Sequence, residues 1–146
     1  MSNLDIEHLR NVVFLSHSGA GKTVLSESML HTTGTITRQG TIEEGNTTSD
    51  YEPEEQRRNS STQTSILACR WKNHKINIID TPGYADFRGE VISGIIAADG
   101  AVITVAGPSG VEVGTLQMWR MAEENTLPLI IFISKMDREN VDFSRG

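Results

Sequence analysis

The stretch Asn11-Val12-Val13-Phe14-Leu15-Ser16-His17-Ser18-Gly19-Ala20-Gly21-Lys22-Thr23 decides the fold. Its first five residues are a continuously apolar run after a polar start, the pattern of a strand buried on both faces of a parallel sheet. The run ends abruptly in a loop that contains two glycines. Over 22–31, Val24, Leu25, Met29 and Leu30 recur at helical spacing, and Gly34 is a stop signal. Strand, tight loop and helix form the context of a phosphate-binding loop. Consecutive backbone N–H groups and the positive end of the following helix make a concave anion site, which glycines let a phosphate approach. In this reading Ser16, His17, Ser18, Gly19, Ala20, Gly21, Lys22 and Thr23 hold nucleotide phosphates. Lys22 reaches the β- and γ-phosphates, and the Thr23 hydroxyl ligates magnesium. The bland alternative is a glycine-rich turn whose Lys and Thr only cap a helix.

Downstream, residues 34–65 are rich in Thr, Ser, Gly, Glu and Arg, show no sustained apolar period, and read as one long loop. Loops beyond about 12–15 residues are uncommon in compact domains and tend to be functional or disordered. Residues 66–71 and 75–80 are strand-like runs joined by Lys72, Asn73 and His74, a hairpin length. A helix over 85–98, a buried strand over 100–105, a helix over 111–125 and a last strand over 129–134 follow. Such alternation implies a layered βα sheet.

Two further strand ends carry chemistry. Asp80-Thr81-Pro82-Gly83 belongs on the same sheet edge as the phosphate loop, where open α/β sheets bind ligands. A carboxylate there holds a metal through water, and the Gly83 N–H senses a γ-phosphate. By itself this string is also a common turn composition. Ser134-Lys135-Met136-Asp137 ends the last strand. Its aspartate can accept two hydrogen bonds from guanine N1 and the exocyclic amine, an arrangement adenine cannot supply. A solvated strand end is the alternative, so the weight lies in the order of the three elements.

These residues also carry a resemblance. The string Lys75-Ile76-Asn77-Ile78-Ile79-Asp80-Thr81-Pro82-Gly83-Tyr84-Ala85-Asp86-Phe87, with Lys135-Met136-Asp137-Arg138 downstream and His17 in the phosphate loop, resembles elongation factor G-like translational GTPases. Asp50-Tyr51-Glu52-Pro53-Glu54-Glu55 ahead of Arg57 and Arg58 is more similar to the elongation factor G-like paralogues than to the main translocase. The resemblance covers nearly the whole chain. It implies a three-layer, Ras-like α/β P-loop NTPase sheet, mostly parallel with one antiparallel strand. Residues 1–146 would be an incomplete GTP-binding domain, truncated C-terminally and leaving an edge strand and a sheet face exposed. It implies GTP or GDP as ligand, Mg2+ as cofactor and, through a full-length parent, the ribosome as partner. It makes 34–65 the mobile switch I and 80–89 switch II. The metal ligands would be Thr23, Ser61 (Thr62 nearby) and Asp80, with Lys22, Gly83 and Tyr84 serving hydrolysis.

Four departures from that pattern stand out. Ser16 replaces the first Gly of the loop. Gly19 stands where these factors commonly have an Asp beside a monovalent cation. Ser134 replaces the Asn that braces the base pocket against the phosphate loop. Tyr84 occupies the place of the His that positions the attacking water. A phenol with a pKa near 10 orients water but lacks the charge and neutral-pH titration of an imidazole, so hydrolysis is expected to be slow or differently triggered. The rival reading is a nucleotide-dependent binding and switch module with little or no hydrolysis. An ATP-binding protein conflicts with Asp137.

Composition sets outer bounds. The 146 residues, 37% of them apolar, suffice for one compact domain. With 19 acidic against 13 basic side chains the net charge is -6, which offers no broad basic field for sequence-specific nucleic acid. Cys69 is alone, suiting a reducing compartment, with cytoplasm as the default. Residues 1–10 lack the apolar run of a signal peptide, and no stretch is long enough to span a bilayer. Trp71, Trp119 and Phe132 are expected in the core. His8, His31 and His74 are expected as separate surface residues with no zinc site. Glu43-Glu44 and Glu52 to Glu55 read as solvated, and Arg57 and Arg58 as locally charge-compensated.

Overall fold

A computed structural model of the chain describes residues 6–58, 60–139 and 141. The strands are β1 (Leu9–Ser16), β2 (Ser65–Trp71), β3 (His74–Asp80), β4 (Gly100–Ala106) and β5 (Leu129–Ser134). The helices are α1 (Lys22–Thr32), α2 (Pro53–Arg58), α3 (Arg88–Ala97) and α4 (Val113–Glu124). The five strands form one sheet in the order β2-β3-β1-β4-β5. The β2–β3 hairpin is antiparallel and the other three pairings are parallel, as expected. Its turn residues Lys72 and Asn73 both take positive φ, the geometry that matches the twist of paired strands.

Strand alternation sends successive side chains to opposite faces, and each face has its own cover. On one side α1 closes over Phe14, Leu67, Cys69 and Ile78 with Leu30. On the other, α3 and α4 bring Val91, Ile95, Met118, Met121 and Ala122 onto Val13, Leu15, Ile79, Ile103 and Val105. Each fully buried aliphatic or aromatic side chain contributes about 1.5–3 kcal/mol. This is the three-layer arrangement that the resemblance implies. Among the described residues no helix is long and apolar enough to cross a membrane.

Register fixes the working edge. Phe14 lies opposite Asp80, Ser16 opposite Thr104, and Ala106 opposite Ser134. The C-terminal ends of all four parallel strands therefore meet along one rim.

Several expectations are corrected. Residues 34–65 are not wholly irregular, because α2 forms there with Pro53 in its first turn, a position where the missing N–H costs nothing. The helix expected over 85–98 splits into a 3-10 turn, Ala85–Phe87, and α3. α4 starts at Val113, since the Glu112 N–H donates to Thr115 Oγ1 at 3.3 Å and takes the capping position. Trp71, Trp119 and Phe132 are 49%, 38% and 40% exposed, outside the core. Trp71 ends the edge strand β2, Trp119 lies on the outer side of α4, and Phe132 lies on the other edge strand, β5. Ile130 and Ile131 of β5, on opposite faces of the sheet, are 67% and 55% exposed. His8 and His74, far apart in sequence, meet edge to face with His8 Nδ1 3.5 Å from His74 Nε2. No third ligand-type side chain joins them among the described residues.

Candidate functional site

The loop between β1 and α1 is shaped by Gly21, whose φ of +95° at the helix N-cap would strain any residue with a Cβ. Ser16 does not need a positive φ, so its replacement of Gly costs the backbone nothing. Its hydroxyl instead accepts a 2.9 Å hydrogen bond from Lys22 Nζ. Lys22 is buried, and desolvation lowers its pKa against the opposing pull of Asp80 and Asp50. His17 turns toward the start of α4, with Nε2 3.6 Å from Glu112 Oε1.

Asp80 is buried at the end of β3, one of its oxygens accepting from Ser26 Oγ at 3.1 Å and the other, Oδ1, without a partner among the described residues. Burial pushes its pKa up to about 6; Lys22 opposes the rise and Asp50 adds to it. Thr81 Oγ1 donates to Phe14 O at 2.7 Å and so ties the two strand ends together. Gly83 follows, and a Cβ there would stand 2.8 Å from Ser18 Cα and 2.9 Å from Lys22 Nζ. Only glycine lets this backbone lie on the phosphate loop.

Loop 34–65 brings a hydroxyl to the same place. Ser61 Oγ lies 3.4 Å from Thr23 Oγ1 and donates to Asp50 Oδ1 at 2.7 Å. Asp50 is buried and its pKa is raised, first by desolvation, with the Ser61 hydrogen bond opposing. Two buried carboxylates thus face one ammonium, a negative excess in a poorly solvated place. An orphaned carboxylate oxygen and two hydroxyls near the ~3 Å spacing of neighbouring ligands in an octahedral magnesium shell complete a donor set that suits a hard divalent cation.

The other end of the site is the end of β5. Ser134 Oγ donates to Ala20 O at 2.6 Å, so serine keeps the brace to the phosphate loop that the Asn-to-Ser departure put in question. Lys135 Nζ donates to Gly19 O at 2.7 Å. Between these ends runs a cleft of ≈650 Å³, lined by Ser18, Gly19, Gly21, Lys22, Thr23, Asp50, Ser61, Gly83, Tyr84, Ser134, Lys135 and Asp137 among others. Ser16, His17, Ala20, Asp80, Thr81, Pro82 and Met136 stand behind or beside that lining. Tyr84 and Asp137 are exposed at the cleft.

Three acidic residues in and around the loop escaped the sequence reading. Asp50 carried no signal of its role. Glu27 is fully buried on α1 and accepts the backbone N–H groups of Gly40, at 3.0 Å, and Thr48. The clue was a buried helix face made of Lys22, Thr23, Ser26, Glu27 and Leu30, too polar for ordinary core. Glu55, read as solvated, is 1% exposed, because loop amides converge on its carboxylate. The clue was Pro53 at a helix start with Glu55 two positions on. Arg57 does pair locally, with Glu54 at 3.1 Å.

Residues 7–145 match the family described as Elongation factor Tu GTP binding domain. The chain is 41% identical to a mitochondrial Ribosome-releasing factor 2 of Scheffersomyces stipitis, over 99% of its own length and 17% of that protein. It is 41% identical to Elongation factor G of Granulibacter bethesdensis, over 100% of its own length and 21% of that protein. A crystal structure of a Thermus thermophilus protein superposes with a TM-score of 0.90 at 38% identity, covering 93% of this chain and 20% of that one. A bacterial selenocysteine-specific elongation factor superposes at 0.71 with 25% identity, over 92% of this chain and 21% of that one. The chain thus spans about a fifth of the length of these relatives.

Proposed function

The chain belongs to the elongation factor Tu GTP-binding domain family, and from that premise we propose that it binds GTP and GDP with Mg2+ and is the switch domain of a GTPase working on the ribosome. The observation that carries the reading is convergence: Lys22, Thr23, Ser61 and Asp80 gather at one end of a cleft whose other end holds Asp137.

Each residue has a task. The phosphate loop, Ser16 to Thr23, cradles the phosphates with backbone N–H groups, and Lys22 places its charge on the β- and γ-oxygens. Thr23, Ser61 and, through water, Asp80 would hold magnesium. Bound there, the ion would neutralise charge on the phosphates. The Gly83 N–H faces the γ-phosphate position, and the Tyr84 hydroxyl orients water for in-line attack. Asp137 accepts from guanine while Ser134, Lys135 and Met136 hold the strand end in place. The two switches are 34–65 and 80–89. The site of action is wherever the parent's ribosome is, with the cytoplasm as our reading.

Titration of the chain with GDP and GTP, with and without magnesium, tests the proposal. Micromolar or tighter binding that weakens on magnesium removal is expected, and no binding at millimolar ligand would overturn it. Competition by ATP and XTP tests the base assignment: Asp137→Asn shifts preference from GTP toward XTP. Replacing Tyr84 by His in the longer parent, assayed with ribosomes, is expected to speed hydrolysis. An unchanged rate means that residue 84 does not limit turnover.

A further inference from the structure

Glu55 is used from both sides of its carboxylate. Oε2 accepts the Glu52 N–H at 3.3 Å and closes the first turn of α2, in the manner of a capping box. Oε1 faces the opposite way and accepts the N–H groups of Thr62 at 2.9 Å and Gln63 at 3.1 Å, with Thr62 Oγ1 at 3.4 Å. The backbone of Glu55 takes part as well, its carbonyl accepting from Ser60 N at 3.1 Å. Ser61 sits between these anchored residues, its own side chain directed to Asp50 and Thr23.

We infer that Glu55 is a positioning residue: it sets the arm that presents the Ser61 hydroxyl to Thr23, and so governs the cation site without touching cation or nucleotide. The inference rests on the reading of Thr23 and Ser61 as magnesium ligands. A carboxylate suits the task because one ionised oxygen can bind several amides at once through strong, charge-assisted bonds. Burial keeps water from competing for those amides. Glu27 does not duplicate the role, since the amides it holds are those of Gly40 and Thr48, on the other side of α2 in the chain from Ser61. The arm is therefore built as a unit with α2, and Ser61 arrives at the site already oriented.

The role differs from general structural support in which ligand state it affects. As part of the proposed switch, the Ser61 arm is held by magnesium together with a γ-phosphate. GTP retention therefore calls on Ser61 more than GDP retention does, which rests on the phosphate loop and Asp137. Glu55→Ala removes both carboxylate acceptors and keeps only the backbone carbonyl that holds Ser60, whereas Glu55→Gln keeps a neutral carbonyl for Thr62 and Gln63 and loses the charge and the weaker bond to Glu52. Two readouts apply to the parent chain and both variants: amide hydrogen exchange without nucleotide, and the magnesium concentration that half-saturates retention of each nucleotide. In Glu55→Ala, exchange at Thr62 and Gln63 is expected to rise about tenfold or more, with a smaller rise in Glu55→Gln. The magnesium requirement with GTP is expected to rise about tenfold while that with GDP changes less than about twofold.

Unchanged exchange at Thr62 and Gln63 in Glu55→Ala overturns the inference whether or not nucleotide binds. Equal rises in magnesium requirement for GTP and GDP overturn it too, since they mark a general loss of stability. Retention of neither nucleotide by the parent chain counts against the proposed function instead, and the exchange data then decide the inference. Should Glu55→Ala fail to fold, Glu55→Asp, one methylene short of its amides, gives the same readouts.

Discussion

The strand-end cluster and loop 34–65 meet at Thr23 and Ser61, yet they are held in opposite ways. At the strand ends, position comes from the covalent chain: parallel register brings Ser16, Asp80 and Ser134 to one rim, and Gly21 and Gly83 remove the atoms that would keep the segments apart. In the loop, position comes from the buried carboxylates Glu27 and Glu55, which collect backbone amides from residues far along the chain. The first kind of order persists as long as the sheet does. The second depends on a few charge-assisted hydrogen bonds and can be lost locally while the core stays folded.

The largest effect should come from damage to the cluster. Gly83→Ala forces a methyl against Ser18 and Lys22 Nζ, and nucleotide affinity is expected to fall about a hundredfold, with a stability loss of about 1–3 kcal/mol. Parental affinity by calorimetry would mean that the cluster gives way as easily as the loop.

Next comes pH. The Asp80 carboxyl titrates at about 6 in the fold, above its ordinary value, so as pH rises the unfolded chain ionises first. On this group's account the nucleotide-free fold loses about 1.4 kcal/mol per unit between about pH 4 and 6, and no more above that. A cation needs the ionised form, so magnesium affinity is expected to fall by up to about tenfold per unit as pH drops below about 6. Asp80→Asn should stabilise the nucleotide-free fold by about 1–2 kcal/mol at pH 7 in urea denaturation and abolish that pH dependence.

The loop gives the third test. Glu27→Ala leaves the amides of Gly40 and Thr48 without their buried acceptor and should cost about 2 kcal/mol. Amide exchange is expected to quicken over 40–48 and stay slow in β1 and β3. Equal acceleration in both regions would erase the distinction between them. The smallest effect belongs to the loop's surface: Arg38 pairs with Glu44 at 3.0 Å, both well exposed, and Arg38→Ala should change stability by less than about 0.5 kcal/mol.

The same contrast explains what the sequence made legible. The order of strands and helices, the antiparallel hairpin and the phosphate loop all rest on local spacing, which a reader can count along the chain. Asp80 could be placed because it follows an apolar strand, and Ser61 because the resemblance supplied its position. Asp50, Glu27 and Glu55 could not be placed, because their partners lie up to 21 residues away and their burial arises only once the loop has closed. Trp71, Trp119 and Phe132 misled for a related reason. Aromatic type predicts burial on average, but a strand edge or the outer side of a helix can still leave a ring in water.

The bonds from Ser134 to Ala20 and from Lys135 to Gly19 have a consequence for the energetics of a bipartite ligand. They tie the proposed phosphate end and base end of the cleft into a single jaw. A nucleotide that seats one half delivers the other at a high effective concentration, so overall rotation and translation are restricted only once for both halves. Guanosine and pyrophosphate offered separately should then each bind weakly, and the product of their association constants should fall far short of that for the joined molecule. Ser134→Ala, which removes one of the two ties, should narrow that gap while leaving the separate halves nearly unaffected.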